Sequence, residues 1–466
     1  MNFQPVFLTT DILIYVLLAT VIGFGVYASH HAHLSAPWRQ VARRPMAMAA
    51  LVVLLAYVTL GLMDSVHFRR TQNGPGTAPN AYSGEVMSLL DYVATPLRVR
   101  VERTYSAPFA AQAYTMETVE YPDGRRTREY PRLQFGGAHL KELDGRSADI
   151  VRHTLWATLS GLALWLLLVF TFSFAWRKRE ESLALSARRF WRGESPVPWR
   201  TILAAVGVLI VLAVNAIVLS SYYHILGTDQ VGQDVFFKSL KSIRTGLVIG
   251  TLTTLIALPF AVLFGIMAGY FRGWVDDVIQ YFYTTLSSIP GVLLIAAAIL
   301  SLQVYVANHP ETFDSSMARA DIRLLFLCLI LGVTSWTSLC RLLRGETLKL
   351  REVDYIQAAH ALGASHISIM ARHILPNVMH IILITVVLDF SGLVLAEAVL
   401  SYVGVGVDPT MESWGNMING ARLEMAREPI VWWSLVSAFV FMFGLVLSAN
   451  LFSDAVRDAF DPRLRK

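Results

Sequence analysis

The chain has 466 residues, of which 55% are hydrophobic and only 16% charged, and its mean hydropathy is +0.50. About a quarter of residues are charged in ordinary soluble domains, so this composition excludes a soluble enzyme and marks a polytopic membrane protein. The formal net charge of +5 does not argue for nucleic acid, because the basic residues gather beside the ends of apolar runs, where they set membrane orientation.

Crossing the hydrocarbon takes about 20 predominantly apolar residues. Nine runs qualify, at 8–27, 46–63, 152–175, 201–221, 242–269, 278–303, 322–343, 379–400 and 431–453. All are expected to be helical, since lipid offers no partner to an open sheet edge. The first run has no charged residue before Asp11 and no small-residue cleavage site after it, so it is expected to be a retained span. Arg39, Arg43 and Arg44 follow it, and Arg177, Lys178, Arg179, Arg188, Arg189, Arg192 and Arg200 follow the third. Both basic loops are expected to be cytoplasmic, which puts the N-terminus and residues 64–151 outside and the C-terminus inside. Within 64–151, residues 71–80 read as an irregular linker, and Tyr114–Tyr121 and Arg126–Phe135 read as strands around the turn Pro122-Asp123-Gly124. This segment is expected to be a small extracytoplasmic α/β or β appendage, accessory to the rest and separable from it. Pro259 and Pro290 fall inside runs and are expected to kink them.

Chemistry is sparse. No Gly-x-x-x-x-Gly-Lys-Ser/Thr occurs, so the chain is not expected to cradle ATP phosphates, and its energy must come from a partner. Cys328 and Cys340 lie twelve residues apart in one run, beyond disulfide reach along a helix. His30, His31 and His33 form a short run without metal-ligand spacing, and no metal site is expected. Asp389 and Glu397 are ionisable groups inside the eighth run, and burying a carboxylate there is costly enough to suggest a place along a water-filled pathway.

The most informative stretch is the polar loop 344–378, between the seventh and eighth runs. Gln357-Ala358-Ala359 is followed by Gly363, His373 and Leu375-Pro376. Ala359 and Gly363, four apart, would share one helical face, and with Ala358 they would leave a surface almost without side chains for another protein to approach. Pro376 needs no N–H partner in the first turn of a helix, so it is expected to end the loop and open the next span. The spacing resembles the coupling loop of ABC importer permeases, whose pattern is Glu-Ala-Ala, three residues, Gly, nine residues, Ile, one residue, Leu-Pro; five of the seven fixed positions are kept, with Gln357 and His373 departing. His224 to Val235, Ala268 to Asp276, Gly404 to Val407, Ser413 to Met417 and Asp461 to Arg465 are similar to further landmarks of the dipeptide, oligopeptide and nickel group of that family.

The resemblance implies an all-α polytopic membrane protein with a six-helix permease core at 200–466. Residues 1–63 would be two extra spans, 64–151 the appendage, and 152–199 a third extra span with a basic linker. It also implies a coupling role for Gln357, Ala358, Ala359, Gly363, Leu375 and Pro376. Partners would be a second permease subunit, two ABC ATPases that bind ATP and magnesium, an extracytoplasmic solute-binding protein and lipid, with no cofactor in this chain and no nucleic acid. Peptides or related solutes are the implied cargo. The rival readings are a permease-like sensor or scaffold, and a proton- or sodium-coupled secondary transporter, which would show repeated broken helices and buried carboxylates.

Overall fold

The structure is a computed structural model that describes residues 3–71, 82–120, 126–175, 197–309 and 315–460, apart from the side chains of 32–34 and 119. In chain order, strand β1 (Phe3–Val6) precedes α1 (Thr9–His30), α2 (Ala32–Val41) and α3 (Pro45–Ser65). Strands β2 (His67–Thr71) and β3 (Tyr82–Ser88), short helices α4 (Leu89–Val93) and α5 (Thr95–Val99), and strands β4 (Glu117–Glu120) and β5 (Arg126–Glu129) follow. Next come α6 (Arg146–Ala175), α7 (Trp199–Ser220), α8 (Val235–Phe271), α9 (Gly273–Ser288), α10 (Gly291–Asn308) and α11 (Ser316–Arg351). The chain continues through α12 (Asp354–Ala361), α13 (His366–Ile369), a π-helical turn at Met370–Ile374, α14 (Leu375–Tyr402), α15 (Trp414–Glu424) and α16 (Trp433–Phe460). Among the described residues nine helices are long and apolar enough to cross a membrane: α1, α3, α6, α7, α8, α10, α11, the run His366–Tyr402 and α16.

Two expectations change here. The run 278–303 is not one kinked helix: α9 ends at Ser288, and Pro290 is the N-cap of α10, because a ring without an N–H suits a helix start better than its interior. Pro259 does lie inside α8. Residues 3–6, ahead of the first run, form a strand that pairs antiparallel with β2, from Phe3↔Arg70 to Val6↔His67, in a three-stranded sheet ordered β1-β2-β3. The expected hairpin is present but shorter, with Glu117↔Glu129 and Glu120↔Arg126 at its ends. Its turn at 122–124, the linker 72–80, the basic stretch 177–192 and the final landmark at 461–465 lie outside the described residues.

The chain divides into two compact units. One is Met1–Val6, Arg39–Thr245 and Glu412–Ser448; the other is Phe7–Trp38, Gly246–Met411 and Ala449–Lys466. In the first unit, α6 packs on α7 through small residues: a Cβ on Gly207 would stand 2.6 Å from Trp165 Nε1, and that Nε1 donates to Leu203 O at 2.8 Å. Small residues let helices approach closely where lipid gives no hydrophobic drive for association.

The same unit joins the appendage to the loop after α7. Glu102 accepts backbone N–H bonds from Gln134 and Phe135, both at 2.8 Å, and from Gly136 at 3.0 Å. Its Oε1 lies 3.3 Å from His224 Nε2, and His224 Nδ1 lies 2.7 Å from Asp234 Oδ2. Gly232 has φ +77°, and a Cβ there would fall 1.9 Å from Glu102 O, so only glycine fits. Thr228 Oγ1 accepts from Ser106 N–H at 2.7 Å, while Thr228 O accepts from Trp433 Nε1 at 2.9 Å. Lys241 Nζ, on α8, donates to Asp91 at 2.6 Å. Removing the appendage would take one of two carboxylates from buried His224 and the closest carboxylate from half-buried Lys241.

The second unit is built around the crossing of α8 and α11. A Cβ on Gly265 would stand 2.8 Å from Leu343 Cβ, one on Gly269 2.5 Å from Thr347 Cβ, and one on Gly332 2.6 Å from Ile256 Cγ2. Ala261, Gly265 and Gly269 repeat every fourth residue, a small-residue seam that sets this close approach. In the same unit α1 docks on α11: Thr10 N–H donates to Asp321 Oδ2 at 3.2 Å, and the Thr10 hydroxyl donates to Asp321 Oδ1. Leu13 and Ile14 pack against the core of Val248, Leu252, Leu324 and Leu327.

Burial alone would lower the His224 pKa, but its bonds to Asp234 and Glu102 outweigh burial and raise it from 6.5 to about 9. Burial alone would raise the Glu102 pKa, but the bonds from His224 and the backbone of 134–136 bring it from 4.5 down to about 2. A raised histidine pKa stabilises fully below 6.5 and is lost as pH rises through about 9; a depressed glutamate pKa stabilises fully above 4.5 and is lost as pH falls through about 2. The melting temperature in detergent should therefore fall on going from pH 6.5 to 9, and His224→Gln should flatten that fall. Glu102→Ala should cost about 3–5 kcal/mol at neutral pH, because it leaves the N–H groups of 134–136 and of His224 Nε2 without their buried acceptor. A wild-type melting temperature flat across this range would contradict the charged His224.

Candidate functional site

The loop between α11 and α14 is held from below and exposed above. Ile356, only 2% exposed, anchors α12 in a core that includes Tyr270, Leu343, Ile369, Ile374 and Val378. Helix α12 closes with Gly363 at φ +79°, Gly363 N–H donating to His360 O at 3.0 Å and Ala364 N–H to Ala359 O at 3.1 Å. These two bonds are a Schellman motif, which satisfies the last carbonyls of a helix and favours glycine at this position. The next helix starts with Ser365, whose side chain accepts from Ser368 N–H at 3.3 Å.

The arrangement corrects one expectation and extends another. Gly363 lies beyond the end of α12, so it does not share a helical face with Ala359. Ala359 and Leu375 pack inward against the core, whereas Gln357, Ala358, Gly363 and Pro376 are exposed. Beside them stand two large apolar side chains facing solvent, Leu362 at 87% and Ile367 at 76% exposure. The available surface is thus a small-residue and apolar patch, not a bare backbone face. Pro376 does stand in the first turn of α14, as expected, but the helical run that α14 continues begins at His366. Pro376 cannot donate to the carbonyl four residues back, and the helix continues by widening into a π turn in which Leu375 N–H bonds to Met370 O. Such turns insert one residue without ending the helix.

Other side chains brace the loop. Tyr270 OH is 2.8 Å from His366 Nδ1, and Arg351 donates to Tyr270 O at 2.8 Å. Arg344 forms a two-pronged pair with Asp276, both contacts at 2.6 Å, and its guanidinium holds the Asp276 carboxyl below the usual carboxylate range. Arg272 pairs with Glu352 at 2.5 Å, and Gln357 Nε2 donates to Glu352 O at 3.2 Å. Tyr270, Arg351, Glu352, Gln357, His360 and His366 line a cavity of about 370 Å³ here. Sequence reasoning placed Tyr270 and Asp276 within a landmark but assigned them no role; their signal was the pairing of a landmark carboxylate with an arginine on a distant helix, invisible in linear order.

The two intramembrane carboxylates sit apart from this loop, on α14. Asp389 is half-buried. Glu397 is buried and accepts from the Ser401 hydroxyl one turn on, at 2.8 Å. A third, Asp321, is buried and holds Thr10; the sequence reading missed it because it lies just outside the run 322–343.

A bundle of membrane helices with no nucleotide-binding motif and a braced, exposed loop between two long spans is the build of a membrane transport subunit. The model for the binding-protein-dependent transport system inner membrane component matches residues 261–466. Among curated proteins, the glutathione transport system permease protein GsiD of Pectobacterium atrosepticum is 31% identical over 242 residues, covering 52% of this chain and 73% of that protein. The oligopeptide transport system permease protein OppC of Haemophilus influenzae is 28% identical over 293 residues, 60% of this chain and 88% of that protein. OppC of Mycobacterium tuberculosis is 33% identical over 242 residues, 52% of this chain and 77% of that protein. The chain belongs to the binding-protein-dependent inner-membrane component family, and is a multi-pass inner-membrane permease subunit of an ABC importer of the peptide group.

The Schellman end of α12 generates a specific expectation. Gly363 has open space where a Cβ would go, so substitutions there carry only the backbone cost of a left-handed residue, about 1–2 kcal/mol. Gly363→Val should speed hydrogen exchange across 354–364, and Gly363→Asn, which tolerates this conformation, should do so less. Equal effects for the two would contradict the assigned loop geometry.

Proposed function

We propose that this permease imports peptides or peptide-like solutes, working with a second permease subunit, two ATPase chains and a solute-binding protein. The relatives are named for oligopeptide and glutathione transport, which supports that cargo class. ATP and magnesium would be bound by the ATPases. The basic loops after α1 and α6 and the loop at 344–378 would be cytoplasmic, with residues 64–151 on the opposite side, as the arginine distribution favours.

The observation that carries the coupling role is the exposed patch of Ala358, Leu362, Gly363 and Ile367 on a loop that Ile356 and the Asp276–Arg344 pair fasten to the long helices. A partner gripping this patch could move those helices as a lever, and ATP-driven closure of the ATPases would then shift the population between two openings of the pathway. Gln357 offers the partner neutral hydrogen bonds, about half the strength of charged ones, so shape would carry the contact. Leu375 would act from within, by fixing the start of α14. Asp389, half-buried on α14, would line the pathway, and Glu397 would support it.

The test is co-purification followed by uptake in reconstituted vesicles. Wild type should bring down two ATPases and a second permease and accumulate a labelled peptide when the binding protein and ATP are present. Leu362→Asp combined with Ile367→Asp should lose ATPase capture while inserting normally. Undiminished capture by that double variant would refute the assignment of the docking patch.

A further inference from the structure

Where the chain returns from the appendage into α6, three metal-ligating side chains meet in the first unit. His139 lies in the turn before the helix, and Asp149 and His153 are one turn apart on α6, so they share a face. His139 Nε2 is 2.7 Å from Asp149 Oδ2, and His153 Nε2 is 3.4 Å from Asp149 Oδ1. One ligand atom from each residue lies within 4.8 Å of the others.

The surroundings are organised as ligand-holding groups usually are. Asp149 is 9% exposed, and the Tyr223 hydroxyl donates to its Oδ2 at 2.8 Å. The Tyr222 ring stacks on His153 at 4.1 Å and meets His139 edge-on at 4.9 Å, fixing both imidazoles. An outer hydrogen bond on a ligating carboxylate and restrained imidazole planes are the second-shell features that tune such sites. Two imidazole nitrogens with one carboxylate oxygen suit zinc-like ions, whereas magnesium and calcium prefer oxygen alone. Around a tetrahedral ion with bonds of about 2.0–2.2 Å, neighbouring ligand atoms stand roughly 3.4 Å apart. The His153 to Asp149 Oδ1 separation meets that spacing, whereas His139, at hydrogen-bond distance from Oδ2, would have to draw back for an ion to enter.

We propose that His139, Asp149 and His153 bind one divalent transition-metal ion of the zinc class, clipping the turn before α6 to the helix. Arg152 competes for the same carboxylate: its Nη2 is 2.7 Å from Asp149 Oδ1. Its side chain is 63% exposed, so it can swing into water when an ion takes its place. The linear spacing hides the site, because His139 is separated from the helical Asp-x-x-x-His pair by a turn of no recognisable motif.

The test uses the full-length, tag-free protein, purified in detergent and stripped with a chelator, then titrated with zinc chloride by calorimetry and with cobalt chloride by visible absorption. One saturable zinc site is expected, with a cobalt spectrum of tetrahedral intensity. His139→Gln and His153→Ala should each weaken zinc binding at least about tenfold, in line with the sensitivity of such sites to altered shells, and Arg152→Gln should tighten it. The His30→Ala, His31→Ala double variant should bind as wild type, separating this site from the histidines at the end of α1. Because His139 sits in a turn, its variant tests the site without disturbing α6, and gel filtration checks that each variant is intact. Absence of saturable zinc binding by the wild type, binding unchanged in His139→Gln and His153→Ala, or magnesium binding as tightly as zinc would each overturn the proposal.

Discussion

A histidine buried between two carboxylates governs how the first unit holds together. His224 belongs to a loop that resembles a landmark of the permease core, Asp234 to the turn that starts α8, and Glu102 to the appendage. Burying three ionisable groups is tolerated only when each is paired and hydrogen-bonded. Here the histidine takes both carboxylates, and Glu102 also receives three backbone N–H bonds. Around this knot the glycines follow, since Gly232 must pass against Glu102 O and Gly227 against Ser106 O. The residues of this loop that resemble family landmarks therefore serve, in this chain, as the seat of Glu102 and its neighbours.

The second unit obeys a different constraint. Its helices meet in a medium where apolar contact brings little net gain, so close approach through glycine and a few well-paired charges decides which helices touch. Gly265 and Gly269 let α8 lie against α11, and Arg344 on α11 grips Asp276 on α9. The loop that follows inherits that rigidity through Ile356 and through Arg351 bonded to Tyr270 O. The exposed patch thus belongs to a loop fastened to the long helices, which a lever requires.

Much of this was legible in the sequence because lipid simplifies the problem. Nine apolar runs became nine candidate spans among the described residues, and the order of landmarks led to the family. Boundaries were less legible, since apolarity marks the hydrocarbon and not the helix: α8 and α11 extend well past their runs, and the helix behind the loop starts at His366. The break at Pro290 and the π turn before Pro376 show why proline gives a position but not an outcome, which depends on whether the neighbouring backbone can re-pair. Strand β1 was hidden because four residues carry no period, and its partner lies more than sixty residues away. In the candidate site, exposure reversed part of the reading: Ala359 faces inward, and Leu362 and Ile367, which the sequence reading did not single out, face out. The pairs Glu102–His224, Asp91–Lys241 and Thr10–Asp321 join residues from 122 to 311 positions apart, and no local pattern announces them.

The union of appendage and core is tested most directly by a double-mutant cycle on Glu102→Gln and His224→Gln, read as thermal stability of the intact chain in one detergent at neutral pH. If the buried pair joins the two segments, the single losses will exceed what the double variant loses, with a coupling of about 1–3 kcal/mol. Strict additivity of the two substitutions would mean that the appendage and the core loop are only neighbours, and would contradict the account.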